Sequence, residues 1–510
     1  MKKLVPFLFF LSFTCSAQVT FEKKITGYFV PNVIQVSDGG YLLYNLDYPD
    51  ITLIKMDWGG NLLWAKTYGG ANNDKASHLQ EVNDKGFVIV GETNSFGAGG
   101  RDIYLLKVDS IGNLLWSKTI GGNKDDIGTY VQQTSDKGFI IAGQTLSFGN
   151  VANGYLVKTD SIGNLEWNKV LGGTANYLQS VNQTKDGGFM VCGMDTSVFV
   201  FKTNFVGDTL WAKLYKQNSS YPSVADYQLN SVSPIKNGFL ISCTNTAANF
   251  IFGYYFRIDS LGNSNWMGVM DGTIGPGCYT NYNRIESIQP TLDNGCIFLH
   301  KSLATCTMRN NTTYQGSADI SKIDSNAVFV WRNDYMPGLD YQSVNTTSDS
   351  SYIVSATSAT DVFILKTDKI CNTACYSGYY SFSNSPSNWN LLFQKATFTI
   401  TSGGNSTNAP TIVTNGSPVI ANICAVDIAP HSIPSGLKIY PNPASEKFTV
   451  ETESSSKGIL LIHNVDGQTV FARNFQKTMI INTNVLSEGV YYLSIENEGG
   501  TCNKKLVIIK

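Results

Sequence analysis

The chain has 510 residues, 37 basic against 39 acidic, with 12% aromatics and 47 glycines. That near-neutral balance offers no basic footprint for nucleic acid. Low charge (15%) beside so many aromatics and turn formers excludes a disordered chain and describes a β-rich globular protein, with room for one large domain and one or two small ones.

Residues 1–17 read as a secretory signal. Lys2 and Lys3 form the charged start, Leu4 to Phe13 the apolar stretch, and Ser16-Ala17 a small-residue site, with cleavage after Ala17. The apolar run is too short to span a bilayer. Phe13 and Thr14 poorly fit the positions that a lipoprotein signal ending at Cys15 would require. No other long apolar run follows, so no transmembrane segment is expected, and the mature chain (35 basic, 39 acidic) should be exported and soluble. Nine of the ten cysteines remain after cleavage, an odd number that rules out complete pairing within one chain. Cys192 and Cys243 sit in apolar runs and read as buried thiols. Cys278, Cys296 and Cys306 cluster, Cys371 and Cys375 lie four apart, and an exported protein can oxidise some of these. No second C-x-x-C-like pair or neighbouring histidines supports zinc.

From residue 32 three signals recur in fixed order. The first is an apolar run, a tight turn and a second apolar run, as in LQEVNDKGFVIVG, VQQTSDKGFIIAG and VNQTKDGGFMVCG. The second is a strand ending in Lys-x-Asp or a relative (LIKMD, LLKVD, LVKTD, VFKTN, YFRID, ISKID, ILKTD). The third is a tryptophan strand, WAKTYGG, WSKTIGG, WNKVLGG, WAKLYKQ, WMGVMDG and WRNDYMPG. The first two occur seven times and the third six times. Asp57, Asp109, Asp160, Asn204, Asp259, Asp324 and Asp368 stand 44 to 65 residues apart, the period of propeller blades. Alternation within the runs is β-like, and the Gly of SDKG and KDGG supplies the positive φ of a tight hairpin. In DSIGN, Asp109 accepts backbone N–H groups across the turn while Gly112 takes the left-handed position. The expected fold is therefore all-β: a seven-bladed β-propeller of four-stranded blades over residues 18–371.

Six of the eight tryptophans (Trp64, Trp116, Trp167, Trp211, Trp266, Trp331) hold the same place in the outer strand, which assigns them to packing between blades rather than to a glycan platform. The missing seventh outer strand is at the other end of the chain. Phe21 to Gly27 aligns with Trp64 to Gly70, so the N-terminal strand is expected to close the last blade and remove an exposed sheet edge. After Asp368 the pattern stops. Residues 372–435, rich in Ser, Asn, Thr, Gly and Pro, read as a linker with local β-structure or as a small β region of their own.

Residues 436–510 look globular again, with short alternating strands that suggest a small β-sandwich. Tyr440-Pro441-Asn442-Pro443, Asn464-Val465-Asp466-Gly467-Gln468, Gly489-Val490-Tyr491-Tyr492-Leu493 and the basic-apolar end Lys504 to Lys510 follow in order. This segment closely resembles the type A C-terminal sorting domain of the type IX secretion system of Bacteroidetes. The resemblance implies export by the signal and then outer-membrane passage, with the secretion machinery as partner. It also implies removal of the domain and either release of the cargo or its attachment to surface lipopolysaccharide. Asp-x-x-Gly-x-x-x-Trp resembles the repeat of quinoprotein dehydrogenases and their non-catalytic relatives, where the motif is structural. Asp109-Ser110-Ile111, Asp160-Ser161-Ile162, Asp208-Thr209-Leu210 and Asp259-Ser260-Leu261 resemble the O-glycosylation motif of Bacteroidetes, or are plain turn chemistry.

Chemistry is sparse. The four histidines are His78, His300, His431 and His463, and no H-E-x-x-H, nucleophile elbow, phosphate loop or Rossmann glycine run occurs. Glu81, Glu92 and Glu286 break the repeat and are the acids to weigh for glycoside hydrolysis. Asp125-Asp126 and Asn72-Asn73-Asp74, in equivalent loops, are either solvated acids or oxygen ligands for calcium. No cofactor, metal site or catalytic residue is assigned. The loops Asn72–Asp74, Ser95–Arg101, Asn123–Ile127, Ser147–Gly154 and Gly272–Asn283 vary in length. The last of these brings Tyr279, Tyr282 and Arg284 forward as candidate ligand contacts. The expected function is a secreted or surface propeller that binds glycan, protein or matrix. The alternative is a glycan-active hydrolase or lyase, or a degenerate quinoprotein, on the same scaffold.

Overall fold

The computed structural model describes residues 20–26, 31–45, 50–149, 151–172, 177–194, 197–217, 226–235, 238–247, 250–270, 278–306, 317–334, 339–358, 361–372, 391–395, 399–401, 405–409, 411–415, 419–422, 438–451, 458–464, 469–497 and 500–509. They fall into two compact units, one within 19–424 and one within 425–510. The signal sequence with Ala17 lies outside the described residues.

The larger unit is a succession of four-stranded antiparallel meanders in a β-propeller-like fold. The second meander shows the pattern: Asp74–Glu81, Phe87–Thr93, Asp102–Val108 and Leu114–Gly121, each paired with the next. The first is Asn32–Gln35, Tyr41–Tyr44, Ile51–Met56 and Leu62–Gly69. The third is Asp126–Gln133, Phe139–Thr145, Asn153–Thr159 and Leu165–Gly172. The fourth is Tyr177–Gln183, Phe189–Met194, Val198–Thr203 and Thr209–Gln217. The fifth is Asp226–Ile235, Gly238–Ala247, Phe250–Asp259 and Ser264–Met270. The sixth is Cys278–Pro290, Cys296–Cys306, Ser317–Ile323 and Phe329–Asp334. A one-residue parallel bridge, Ile251 to Tyr282, joins the fifth and sixth into one eight-stranded sheet. The closing meander is Asp340–Thr346, Tyr352–Thr357 and Asp361–Lys366, completed by the N-terminal strand Phe21–Thr26, antiparallel to Asp361–Lys366.

Each repeated motif has a physical job. The Lys of Lys-x-Asp turns back onto the hairpin aspartate between the first two strands of its own meander. Lys55 meets Asp38 at 2.9 Å, Lys107 meets Asp84 at 2.9 Å, Lys158 meets Asp136 at 3.0 Å, Lys202 meets Asp186 at 3.0 Å and Lys366 meets Asp349 at 3.0 Å. Those lysine side chains are 3–7% exposed. A buried ammonium needs a partner charge and carbonyl acceptors, and Lys107, for example, also donates to the Val108 carbonyl at 3.1 Å. The Asp of the same motif caps the next turn: Asp109 accepts from the Ile111 and Asn113 N–H groups at 3.0 and 2.7 Å.

That turn is the floor on which the neighbouring tryptophan rests. A Cβ on Gly112 (φ 77°) would stand 2.9 Å from the Trp64 ring, and one on Gly163 2.7 Å from Trp116. The same holds for Gly207 against Trp167 and Gly262 against Trp211, both at 2.7 Å. Only glycine combines the positive φ with this approach. Two residues after the tryptophan, Lys66, Lys118 and Lys213 donate to Asn113, Asn164 and Asn263 of the next turn at 2.8, 3.0 and 3.0 Å. Tyr68 and Tyr215 donate to the Gly112 and Gly262 carbonyls at 2.6 and 2.8 Å. In the closing meander Phe21 takes the tryptophan's place, its ring 2.9 Å from a Cβ built on Gly60. The N-terminal strand thus reproduces the outer-strand contact of the repeat.

First strands of successive meanders lie beside one another, from Asp74–Glu81 through to Asp340–Thr346 and on to Asn32–Gln35. One contact recurs there. Glu81 accepts from the Ser37 N–H at 2.7 Å, Gln133 from Asn83 at 3.0 Å, and Gln183 from Ser135 at 2.8 Å. Gln35 accepts in the same way from Ser348 of the closing meander at 2.6 Å.

Residues 391–422, within the stretch expected to be a linker or small β region, supply a fifth strand to five meanders. Leu391–Lys395 pairs with Thr209–Gln217, Thr399–Thr401 with Leu165–Gly172, and Asn405–Asn408 with Leu114–Gly121. Ile412–Asn415 pairs with Leu62–Gly69, and Val419–Asn422 with Phe21–Thr26. All five are antiparallel, and they visit the fourth, third, second, first and closing meanders in reverse order. Hydroxyls do much of the binding: Thr119 and Thr407 meet at 2.6 Å, Thr411 donates to Ser117 at 2.8 Å, and Ser406 accepts the Leu165 N–H at 3.0 Å. Outer edges that would otherwise present unpaired N–H and C=O groups are covered.

The smaller unit has two sheets. One is Lys438–Tyr440, Lys447–Glu451 and Thr478–Asn482; the other is Thr469–Phe475, Gly458–His463, Gly489–Asn497 and Gly500–Ile508. Phe448, Val450 and Ile481 of the first meet Leu460, Ile462, Leu493, Ile495 and Leu506 of the second in one core, as a β-sandwich requires.

Candidate ligand-binding face

Antiparallel succession sorts the connections of each meander to two ends. Tight turns such as Asp84–Gly86 and Asp109–Asn113 gather at one end. The longer connections, 94–101 and 122–125 among them, gather at the other. Along the inner strands, side chains behave differently at these two ends. Near the tight turns the position is Gln or Glu in four meanders (Gln35, Glu81, Gln133 and Gln183) and Pro234, Pro290 and Thr346 in the fifth, sixth and closing ones.

Toward the long connections a β-bulge interrupts the inner strand at equivalent places, between Ala76 and His78, Gly128 and Tyr130, Leu178 and Ser180, Leu229 and Ser231, Ile285 and Ser287, and Tyr341 and Ser343. Bulges re-aim side chains. The residue before each bulge pair is Lys75, Ile127, Tyr177, Gln228, Arg284 and Asp340 in turn, no two alike. The bulged residue is Ser77, Thr129, Gln179, Asn230, Glu286 and Gln342. All twelve are at least partly exposed, while their strand neighbours Ala76, Leu178, Leu229, Ile285 and Tyr341 are buried.

One side of this row is charged. Arg284 pairs with Glu286 at 3.2 Å, Lys301 lies 3.5 Å from Glu286, and Lys301 reaches across to Asp340 of the closing meander at 2.6 Å. The other side is aromatic. His78 stacks on Tyr130 with centroids 3.7 Å apart, and its Nδ1 accepts from the Val131 N–H at 3.4 Å. Burial pushes the His78 pKa down to about 4, so the ring is neutral at physiological pH.

Of the sequence candidates, Arg284 therefore belongs to a site-like cluster. Tyr279 and Tyr282 sit on the same strand, Cys278–Pro290, where a loop was expected; their side chains lie outside the described residues. Glu81 is spent on Ser37, and Glu92 forms a 3.0 Å pair with Arg101, which also holds Asp125 at 2.8 Å. His300 (3% exposed) and Asp319 (0%) form a buried pair at 3.2 Å, away from solvent. His431 and the side chain of His463 lie outside the described residues.

Asp74 and Asp126 are neither solvated nor set out as metal ligands. Both are fully buried. Asp74 accepts from the Gly70 N–H at 2.6 Å and Ser95 Oγ at 2.8 Å; Asp126 accepts from Gly122 at 2.7 Å and Ser147 at 2.6 Å. Among the described residues no group of three His, Cys, Asp or Glu side chains is placed to hold a metal. Beside Asp126 stands Asp102. Burial pushes its pKa up to about 6, with Asp126 and Asp125 adding to the effect and N–H donors of Gly99 and Ala98 opposing it. A folded value above that of an unfolded aspartate means the fold binds this proton more tightly. The stability it contributes is complete near pH 4 and lost as pH rises through about 6. Asp102→Asn is expected to melt higher than the parent at about pH 8 and level with it at about pH 4. Asn153 already occupies the equivalent position of the third meander. Melting curves across this range check it.

Turn tips Ser110, Ser161 and Ser260 are exposed, whereas Thr209 opens the strand Thr209–Gln217 with its Oγ1 shielded from solvent. Of the four Asp-Ser/Thr-aliphatic triplets, those at Asp109, Asp160 and Asp259 offer an exposed hydroxyl.

In the smaller unit three sorting-motif residues, Tyr440, Asn442 and Tyr491, make hydrogen bonds within the fold. The Asn442 side chain accepts from the Val507 N–H at 2.8 Å, and Tyr440 donates to Glu451 at 2.8 Å. The Tyr440–Pro441 and Asn442–Pro443 peptides are both cis. Gly489 (φ 151°) opens the strand on which Tyr491 donates to the Ser487 carbonyl at 2.9 Å. Tyr492 lies on that strand with its side chain outside the described residues, as are Asp466 and Gly467 altogether. Residues 438–509 match the family of secretion system C-terminal sorting domains. A tail of this family implies export by the type IX secretion system, to the cell surface or beyond. No helix among the described residues is long and apolar enough to cross a membrane.

No curated protein matches the chain. A Bacteroides caccae protein of unknown function is similar in structure at 11% identity, covering 62% of this chain and 94% of its own, with a TM-score of 0.32. The β-propeller domain of Nup133 from Vanderwaltozyma polyspora is similar at 8% identity, covering 69% of this chain and 99% of its own, again with a TM-score of 0.32. Similarity at this level carries no argument about function.

Proposed function

We propose that the protein is a secreted or surface-displayed binding module: a seven-bladed β-propeller over residues 18–371, banded by the strands of 391–422. Its signal is removed after Ala17, and the tail delivers it through the type IX machinery. The blade number rests on the count of meanders. Ring closure is supported by the contact of Gln35 with Ser348, which repeats the contacts between earlier neighbours. The larger unit is the cargo, and residues 436–510 are the removable sorting domain.

The binding reading rests on one observation. In four meanders the tight-turn end of the inner strand repeats Gln or Glu (Gln35, Glu81, Gln133, Gln183), whereas at the long-connection end Lys75, Ile127, Tyr177, Gln228, Arg284 and Asp340 stand at equivalent positions with no two alike. A scaffold needs symmetry. A site for one asymmetric ligand must break it. Tyrosine, arginine and amide side chains in one row on a sheet scaffold suit glycan or protein contact, and Tyr279 and Tyr282 continue along the same strand of the sixth blade. Among the described residues, His300 is buried against Asp319 and His78 is neutral and stacked, while the acids of this face, Glu286 and Asp340, are both engaged by Lys301.

The test is binding of the mature cargo to surface polysaccharides and matrix proteins, compared with Tyr177→Ala, Arg284→Ala and a Tyr279→Ala/Tyr282→Ala double variant. Each is expected to lose roughly tenfold or more in affinity, with an unchanged melt for Tyr177→Ala and Arg284→Ala. Turnover of a glycan or alcohol substrate, abolished by replacing one acidic residue, would overturn the reading.

A further inference from the structure

The longest hairpin among the described residues puts two cysteines at opposed positions of its backbone register. In the pairing of Cys278–Pro290 with Cys296–Cys306, Cys278 is the register partner of Cys306. Directly opposed residues of an antiparallel pair have Cα atoms about 4.5 or 5.5 Å apart, depending on the hydrogen-bonding site. Both values fall inside the range of roughly 4.4–6.8 Å that a disulfide bridges without moving the backbone. The pair is the last of the described ladder, at the end of the hairpin away from its turn.

The other cysteines of this unit that the structure describes are placed quite differently. Cys192, Cys243, Cys296 and Cys371 are thiols buried to between 0% and 4% exposure inside apolar clusters. Burial pushes the Cys243 pKa up to about 12, and those of Cys192 and Cys296 higher. Such thiols carry almost no thiolate and exchange slowly. Cys296 begins the same strand that Cys306 ends, and its register partner is Pro290, which offers it no sulfur. The sorting tail supplies the compartment: the chain crosses an oxidising periplasm, where opposed cysteines persist as disulfides.

We propose that Cys278 and Cys306 form a structural disulfide during export. The two S–H bonds break and one S–S bond forms. The two electrons and two protons pass to the disulfide of a periplasmic thiol–disulfide oxidoreductase, which leaves as a dithiol. The bond ties together the strands that carry Tyr279, Tyr282, Arg284 and Lys301. It would hold that part of the long-connection end rigid whether or not this end binds the ligand argued above. The inference stands without the binding reading.

The test uses mature protein recovered after export. It is unfolded in denaturant with excess alkylating reagent and no reductant, then digested and mapped by mass. The expected result is one linked pair of peptides containing Cys278 and Cys306, lighter by two hydrogen atoms than the two free thiol peptides. Cys192, Cys243, Cys296 and Cys371 are expected to be fully alkylated. Cys278 and Cys306 both alkylated, or either one linked to a different cysteine, overturns the proposal. A second measurement does not depend on mapping. Reductant is expected to lower the melting temperature of the parent by on the order of 5 °C, through loss of the constraint on the unfolded chain. It should leave a Cys278→Ser/Cys306→Ser variant unmoved. An equal response of parent and variant to reductant would count against the bond.

Discussion

Mature protein lacking residues 18–27 is expected to melt on the order of 10 °C below the intact chain and to aggregate on standing. The strand Phe21–Thr26 sits between two others, Asp361–Lys366 on one side and Val419–Asn422 on the other, so its removal strips two ladders at once. Ile25 is fully buried and Phe21 nearly so, in a cluster with Val33, Tyr41, Ile54, Val362 and Ile364 drawn from the first and closing meanders. Losing two such side chains costs several kcal/mol, about 3 each. Lys24 and Thr26 both bind Asp361, at 2.9 and 3.0 Å, and deletion leaves that carboxylate without them. Phe21→Ala separates packing from pairing. It keeps the ladders and is expected to cost about 3 kcal/mol, roughly half of the deletion's effect or less. A synthetic peptide of residues 18–27 should restore part of the lost melting temperature in trans. Calorimetry on the four samples decides it. A truncated chain that melts like the intact one would mean that the strand is ornamental.

That the closing strand was legible at all shows what a repeat exposes. Phe21-x-Lys23 matches Trp64-x-Lys66 because both must lay an aromatic ring and a lysine stem on the glycine turn of the next meander. The Lys-x-Asp and Asp-x-x-Gly signals are legible for the same reason: Lys107 and Asp109 each satisfy a local turn, so their partners lie at fixed offsets. The fifth strands were not. Thr399–Thr401 and Asn405–Asn408 pair along one edge with three or four residues and bind through hydroxyls, so they carry no hydrophobic period that would separate them from a linker. The burial of Asp74 and Asp126 is not legible in the sequence, because it depends on the long connection folding back to supply Ser95 and Ser147. The candidate site was half legible. Arg284 drew notice for its place in an overlong repeat. Lys75, Ile127, Tyr177 and Asp340 did not, because their equivalence depends on the bulges, and a bulge shifts the register by one residue without leaving a mark in composition. The loop expected at 272–283 turned out to be partly strand, since Cys278–Pro290 extends the inner strand well past the lengths of its neighbours.

Removing residues 436–510 is expected to leave the larger unit folded but to stop it in the periplasm of a host with a type IX system. The folding half follows from the core: the unit within 19–424 keeps its own clusters, and the sorting unit's buried residues, Phe448, Leu460 and Leu493 among them, form a cluster drawn from that unit alone. The truncated cargo should therefore melt with the intact one. The export half follows from the family match over residues 438–509. A finer variant distinguishes a folded tail from a merely present one. Leu493→Asp buries a charge in the sandwich at a fully buried site among Leu460, Ile462, Ile495 and Leu506, and costs enough to unfold a tail with so small a core. It is expected to block export as completely as the deletion does, although every exposed tail residue remains in the sequence. Export of Leu493→Asp alongside loss of export in the deletion would place the signal in linear sequence rather than in the folded sandwich. Normal display of both would remove the tail from the export route. Fractionation into periplasm, surface and medium, with the melt of each retained species, reads all three outcomes.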